Sequence, residues 1–415
     1  MRADPALAAA ATAPPQPTGW SAARSLGYAA GLAAATERVR LPLQAADGHT
    51  LAEPLTARTD LPAFPTSSVD GWAVRGSGPW RPVGRVLAGA EPPPLAADGT
   101  AVEIATGAMV PAGATGVLRV EESARTADGR IAGELRATPE WRRPGEEACA
   151  GDVLLPAGSP VNPGVIGLAA SCGYDLLDVR RPPRAAVVVF GDELLTAGHP
   201  GAGRVRDALG PVVPAWLRRN GCAVEPAVGP VADTLPDHVR ALRTALTNAD
   251  LVCTTGGTMH GPVDHVHPAL AEIGAEYVVN TVAVRPGYPM LLARVPGADG
   301  RPRFVAGLPG NPQSAVVALV SLVAPLVAGL LGRPAPPTPP VTLAEPVPGR
   351  GDFTHLALVR IDAAGAAHPV RHTGSAMLRG LAQADGFAVI EPGTRGEPGD
   401  RVPVVPLPLL TGERP

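Results

Sequence analysis

The spacing of apolar positions changes several times along this chain, and each change marks a different kind of element. In "WSAARSLGYAAGLAAATERV" (20–39), Leu26, Ala29 and Ala33 recur at helical spacing and predict an amphipathic helix. Residues from about 45 to 140 break into short alternating runs such as "RPVGRVLAG" and "GVLRVEES", interrupted by Gly and Pro. That pattern predicts a small, irregular β-rich region. "GVIGLAASCGYDLLDV" (164–179) predicts an apolar helix ending at Gly173 and a strand after it.

From 183 the rhythm becomes strand, loop, helix. "RAAVVVFGDELL", "CAVEPAVGPV", "DLVCTTGG" and "RFVAGLPGNP" read as strands or strands running into loops. Between them, "RVRDALGPVVPAWLRRNG", "TLPDHVRALRTALTNA" and "DHVHPALAEIG" read as helices. Such alternation predicts a parallel sheet covered on both faces, a central three-layer α/β domain. Beyond about 335 the chain is Pro-rich, and "FTHLALVRIDAAG", "GFAVIEPG" and "DRVPVVPL" predict a small C-terminal β-barrel or sandwich. The expected organisation is multidomain α/β and β. It has a tail (1–19), a discontinuous helical and linker domain (20–45 with 141–182) and a β-rich domain (46–140). The α/β domain (183–334) and the C-terminal β-domain (335–415) follow.

Composition narrows this picture. A chain of 415 residues is too long for one core, and 45% hydrophobic residues suffice to drive folding. A net charge of -3 with no long basic tract argues against nucleic acid as the main partner. Ala315–Gly332 carries no charge, but it contains Ser321, Pro325 and Gly329 and has the minimum length of a membrane span. A buried helix is expected there, in a cytoplasmic protein with no membrane partner. The alanine-rich N-terminus lacks the bulky apolar centre of a signal peptide and reads as a disordered tail. Four cysteines without a CxxC pair read as small buried hydrophobes in a reducing compartment. All 35 basic residues are arginine, so a site needing a Lys or Arg cation has only Arg to use.

Ligands of open parallel sheets sit outside the carboxyl ends of the strands. Three Gly-containing loops are expected there: 190–194 "FGDEL", 254–264 "TTGGTMHGPVD" and 307–314 "GLPGNPQS". Glycine lets backbone approach a ligand, and N–H groups opening a helix can face an anion. Asp192, Glu193 and Asp264 sit on the same rim, and carboxylates beside a phosphate suit Mg²⁺. Asp264 could equally cap the following helix, and Asp192 and Glu193 could be a solvated turn. His260, His265 and His267 lack a zinc-like spacing and read as loop histidines.

Together these stretches resemble the MoeA family of molybdopterin molybdenumtransferases, which includes the gephyrin E domain. "LPAFPTSSVDGWAV" (61–74), "IATGAMVPAGATGVLRVEE" (104–122) and "RRPGEEACAGDVLLPAG" (142–158) carry the first part of the likeness. "VVVFGDELL", "TTGGTMHGPVD", "VRPGYP" (284–289) and "GLPGNPQSA" continue it in the same order. The resemblance implies a homodimer whose active site draws on both subunits. It implies hydrolysis of adenylylated molybdopterin with release of AMP and insertion of molybdate, assisted by Mg²⁺ or a similar ion. Transient contact with a molybdopterin adenylyltransferase goes with that role.

Residue by residue, the resemblance makes Asp70, Glu193, Asp264 and Arg285 candidates for catalysis. It assigns Thr106, Gly107, Gly256, Gly257, Pro309, Gly310, Asn311, Pro312 and Ser375 to substrate binding. Asp192, Glu193, Asp264 and Glu147 are its candidate metal ligands, Glu147 standing where the family has aspartate. The chain also departs from the pattern. Phe190 replaces a threonine, Ala208 a serine, Leu209 an asparagine and Thr115 an aspartate. Met259 or its neighbour replaces a serine, and Tyr288 replaces the second lysine of the family's KPGKP segment. The carboxylates survive while hydroxyl and amide contacts are lost. Two readings follow: an active transferase with altered contacts, or a divergent paralogue that binds a pterin, nucleotide or partner with little or no catalysis.

Overall fold

The computed structural model describes residues 16–259 and 264–408. Residues 1–15 of the expected tail (1–19) and His260 lie outside them, and the end of that tail is ordered, Thr18–Gly19 pairing parallel with Val282–Ala283. The chain divides into two compact units, one of residues up to 39 with those from 180 onward, the other of residues 40–179.

In the first unit, four parallel strands form one side of a six-strand sheet path, in the order Ala223–Val224 at the edge, Arg184–Phe190, Leu251–Thr255, Pro302–Leu308. Val, Leu and Phe on both faces of these strands are buried, as a doubly covered sheet requires. The sheet is mixed rather than wholly parallel. Leu291–Pro296 joins antiparallel to Pro302–Leu308, and Glu276–Asn280 antiparallel to Leu291–Pro296. The cause is local: Gly297 and Arg301 close a tight turn, and a short connection can only reverse the chain. The helix expected to start near 204 begins at Leu209, because Asp207 accepts the N–H groups of Leu209 and Gly210, both at 2.9 Å. The C-terminal strands close into a five-stranded barrel in the order Thr354–Ile361, Ala366–Pro369, Pro340–Leu343, Arg401–Pro406, Gly386–Ile390, the last pairing back with the first.

The uncharged stretch forms a continuous helix, Pro312–Leu330, fully buried. Its one hydroxyl in the apolar run, Ser321, is satisfied by the Trp20 indole N–H at 2.9 Å. Trp20 belongs to the predicted N-terminal helix, Trp20–Ala33, which lies against this buried helix at very close range. A Cβ on Gly31 would stand 2.1 Å from the Leu326 carbonyl oxygen, and one on Gly329 2.4 Å from that of Tyr28. Two glycines therefore set the helix separation.

A charged cluster fastens the end of that helix to the sheet. Asp250, 7% exposed, accepts Arg181 (2.9 and 3.2 Å), Arg303 (3.1 Å) and the Arg184 N–H (2.8 Å). Arg181 also holds Glu37, as does Arg301. The Arg181 hydrogen bond is the main reason the Glu37 carboxyl falls from its ordinary value of 4.5 to about 2. A depressed carboxylate stabilises the fold above its unfolded pKa and loses that contribution as pH falls through the folded value. Glu37 is largely exposed and screened, so the effect should not exceed about 1 kcal/mol. We expect Glu37→Gln to flatten the acid-side fall in melting temperature between about pH 4.5 and about pH 2, most visibly at low salt. An unaltered acid limb would exclude this role.

The second unit is β-rich. Its main sheet runs Arg81–Val86, Thr100–Ile104, Gly71–Arg75, Gly116–Arg119, and its helix, Pro163–Ser171, is capped by the Asn162 side chain on Val165 N–H. Of the cysteines, Cys172, Cys222 and Cys253 are buried as expected, and burial pushes the Cys222 thiol up to about 12. Cys149 is exposed, contrary to expectation, because it opens a turn closed by Asp152 on its own N–H.

Candidate active site

The carboxyl ends of the central strands frame a cavity of about 730 Å³ in the first unit. All three expected loops reach it. Gly256 and Gly257, Pro309 to Pro312, Glu193 and Asp264 line one space. Gly256 and Gly257 turn with φ of 86° and 67°, in the left-handed region where glycine is favoured. Gly256 N–H also donates to Leu308 O at 3.0 Å, tying two of the loops together.

The wall is acidic. Glu193, Asp207, Asp233 and Asp264 line it, with Arg206 as its one arginine. Asp207 caps its helix, and Asp233 accepts the Asp192 N–H at 3.1 Å. The helix after the second loop starts at Val266 with His265 in the cap position. Asp264 therefore stands one residue ahead of the cap and lines the cavity. Among the described residues, no three of His, Cys, Asp and Glu gather closely enough to hold a metal unaided.

The structure assigns work to residues that looked incidental or lost. His267 bridges the Thr258 carbonyl (3.2 Å from Nε2) and the Tyr277 hydroxyl (2.7 Å from Nδ1). A carbonyl only accepts, so Nε2 carries the proton there and Nδ1 accepts from tyrosine. The ring thus anchors the glycine loop from behind. Phe190 is buried and stacks on His238, with centroids 3.6 Å apart and planes 12° from parallel. Burial lowers the pKa of His238, whose Nδ1 meets Thr234 O at 2.9 Å. The hydroxyl lost at position 190 is replaced by this packed pair. The Thr115 hydroxyl accepts the Gly76 N–H at 3.1 Å, a structural bond within the second unit.

The helix beginning at Pro312 does not offer all its opening N–H groups to a ligand. Those of Gln313 and Ser314 donate to the Ser375 carbonyl at 2.9 and 3.3 Å, and Pro312 has none. Ser375 thus meets the site through its backbone, while its neighbours Ala376 and Leu378 line the cavity. Arg285 lies outside the cavity lining. Its guanidinium sits over Phe353 (4.4 Å) and Tyr288 (5.2 Å), so Tyr288, in place of the second cation, helps hold the first. Asp192 is exposed and also outside the lining.

The remaining candidates belong to the second unit. Asp70 is exposed and accepts the Thr106 N–H (2.6 Å) and hydroxyl (3.0 Å), and the N–H bond is the main cause of its lowered pKa. Gly107, with φ of 77°, completes that turn. Glu147 is exposed, and its N–H donates to Leu61 O at 2.8 Å.

A glycine-looped cavity on the carboxyl rim of such a sheet defines an α/β ligand-binding domain, and residues 186–329 match the family described as a probable molybdopterin binding domain. Residues 10–173 match the MoeA N-terminal region, domains I and II, and 340–407 the MoeA C-terminal region, domain IV. The molybdopterin molybdenumtransferase of Staphylococcus epidermidis is 30% identical over 377 residues, covering 87% of this chain and 88% of its own. That of Staphylococcus aureus is 29% identical over 384, covering 86% and 88%. The solved MoeA protein of Pyrococcus horikoshii shares the fold, with a TM-score of 0.78, 24% identity and coverage of 94% of this chain and 99% of its own. This chain belongs to the MoeA family of molybdenum cofactor biosynthesis.

Proposed function

We propose that this chain is a molybdopterin molybdenumtransferase: it hydrolyses adenylylated molybdopterin, releases AMP and inserts molybdate at the dithiolene. The observation that carries this reading is the convergence of the three glycine-containing loops, with Glu193 and Asp264, on one cavity, in a chain whose relatives bear that name. Hydrolysis transfers water across the linkage between two phosphates, so the site must hold anions. Gly256 and Gly257 let backbone come close to them.

An acidic wall repels phosphate, which argues for a cation between the two. Mg²⁺ commonly takes one or two carboxylates and leaves its other positions to phosphate and water, a donor set that Glu193 and Asp264 suit. It would supply charge neutralisation at the phosphates. Asp192 and Glu147 become secondary candidates, since neither lines the cavity. Asp70 and Thr106 remain candidates in their own unit, and Arg285 is a positioning candidate. A cytoplasmic homodimer, receiving substrate from an adenylyltransferase, completes the proposal.

Purified protein mixed with adenylylated molybdopterin, molybdate and Mg²⁺ should release AMP. Asp264→Asn should slow release roughly 100-fold, with Asp70→Asn tested in parallel. Tight nucleotide binding with no AMP above background would favour the non-catalytic paralogue instead.

A further inference from the structure

A second cavity, of about 790 Å³, opens on the C-terminal barrel, and the charge around it is of the opposite kind. Arg360, Arg371 and Arg379 line it together with His368, His372 and Glu345. Elsewhere in the described structure arginines commonly pair with acids, as Arg40, Arg75, Arg85, Arg119, Arg136, Arg181 and Arg303 do. Among the described residues, none of the three cavity arginines makes such a pair.

The acids nearby are already engaged. His368 is held between Asp362 (2.9 Å) and Glu345 (3.1 Å), and those bonds, Asp362 first, raise its pKa. Three arginines outnumber the two carboxylates, so the group as a whole stays positive whatever the charge of His368. The backbone concentrates that charge. A Cβ on Gly380 would lie 2.6 Å from the carbonyl oxygens of both Arg371 and His372, so the loop 371–380 closes on itself at its neck. His372 takes a left-handed φ of 61° there, unusual outside glycine. Arg371 and Arg379 flank that neck and line one cavity with Arg360 from the strand Thr354–Ile361.

We infer that this cavity is a second anion site, which takes a small molecule carrying two or more adjacent phosphates. Guanidinium forks match phosphate oxygens in pairs, and three of them exceed what one phosphate needs. The volume lies in the range of small-molecule sites. Besides the His368 and His372 imidazoles the lining is Pro369, Val370 and Ala382 with polar groups, and it includes no Phe, Tyr or Trp ring to sandwich a base. Recognition therefore rests on the phosphates, whether free or borne by a nucleotide. The tip of the same loop, Ala376 and Leu378, lines the first cavity.

Hydrogen–deuterium exchange on the full chain separates the two sites. Pyrophosphate should protect residues 366–380 at concentrations where sulfate does not, ADP should do the same, and AMP should do so far less. In the Arg360→Ala, Arg379→Ala double variant, the concentration needed should rise at least tenfold with melting temperature unchanged. The Arg360→Lys, Arg379→Lys variant, which keeps charge without the fork, should fall between. Three results would overturn the inference. Protection could be confined to the loops at 190–194, 254–259 and 307–314. Sulfate could act equally well, marking a nonspecific basic surface. An acidic peptide such as hexaglutamate could bind more tightly than pyrophosphate, marking a protein-docking surface.

Discussion

Replacing Asp250 with alanine should lower the stability of the first unit by about 3–5 kcal/mol. The carboxylate is 7% exposed and faces Arg181 and Arg303, themselves only 18% and 17% exposed. Removing it takes from both part-buried cations their buried acid, leaving Arg181 only Glu37 and Arg303 only Asp299, and strips the Arg184 N–H of its acceptor. Each lost charge-assisted bond is worth about 1.5–3 kcal/mol, a loss that the remaining, more exposed partners of the two arginines offset in part. Asp250→Asn keeps an acceptor for Arg184 N–H and should fall short of the full loss. Urea unfolding combined with hydrogen exchange at Arg184–Phe190 reads the effect where it arises. An unchanged midpoint would show that solvent screens the cluster despite its burial.

Gly31→Ala should be nearly as damaging, while the same change at Gly27 should be close to neutral. Both glycines sit inside the helix Trp20–Ala33, where alanine gains up to about 1 kcal/mol in helix propensity. The difference lies across the interface. The added methyl would stand 2.1 Å from Leu326 O at Gly31 but 3.1 Å from Leu322 O at Gly27. Overpacking costs about 1–3 kcal/mol, and more where backbone meets backbone, since neither side can rotate away. The net loss at Gly31 should therefore be about 3 kcal/mol, against a few tenths either way at Gly27. Melting temperatures of the two variants decide this. Equal values would mean that the helices slide apart freely.

The alternation of strands and helices was legible because apolar periodicity is a local property. The antiparallel edge was less so: it depends on a tight turn at Gly297–Arg301, which leaves no mark on the apolar periodicity. The loops of the candidate site were legible for a similar reason, since glycines and acids after a strand lie on one rim by topology alone. The departures were harder to interpret. Phe190 looked like a lost hydroxyl, yet its partner His238 lies far along the chain, and only the fold brings the rings together. Tyr288 looked like a lost cation, yet with Phe353 it frames Arg285. His267 looked incidental because its hydrogen-bond partners cannot be read from its neighbours in sequence.

The Ser375 carbonyl on the helix beginning at Pro312 has a consequence for how this protein would answer genetic screening. The link runs from main chain to main chain, so many side chains at position 375 could preserve it. Alanine scanning would pass over it, and exchange of residue types at this position over generations would leave little trace of it. Its strength would emerge only from altering the peptide unit itself, for instance by replacing the amide that follows Ser375 with an ester to weaken the carbonyl as an acceptor.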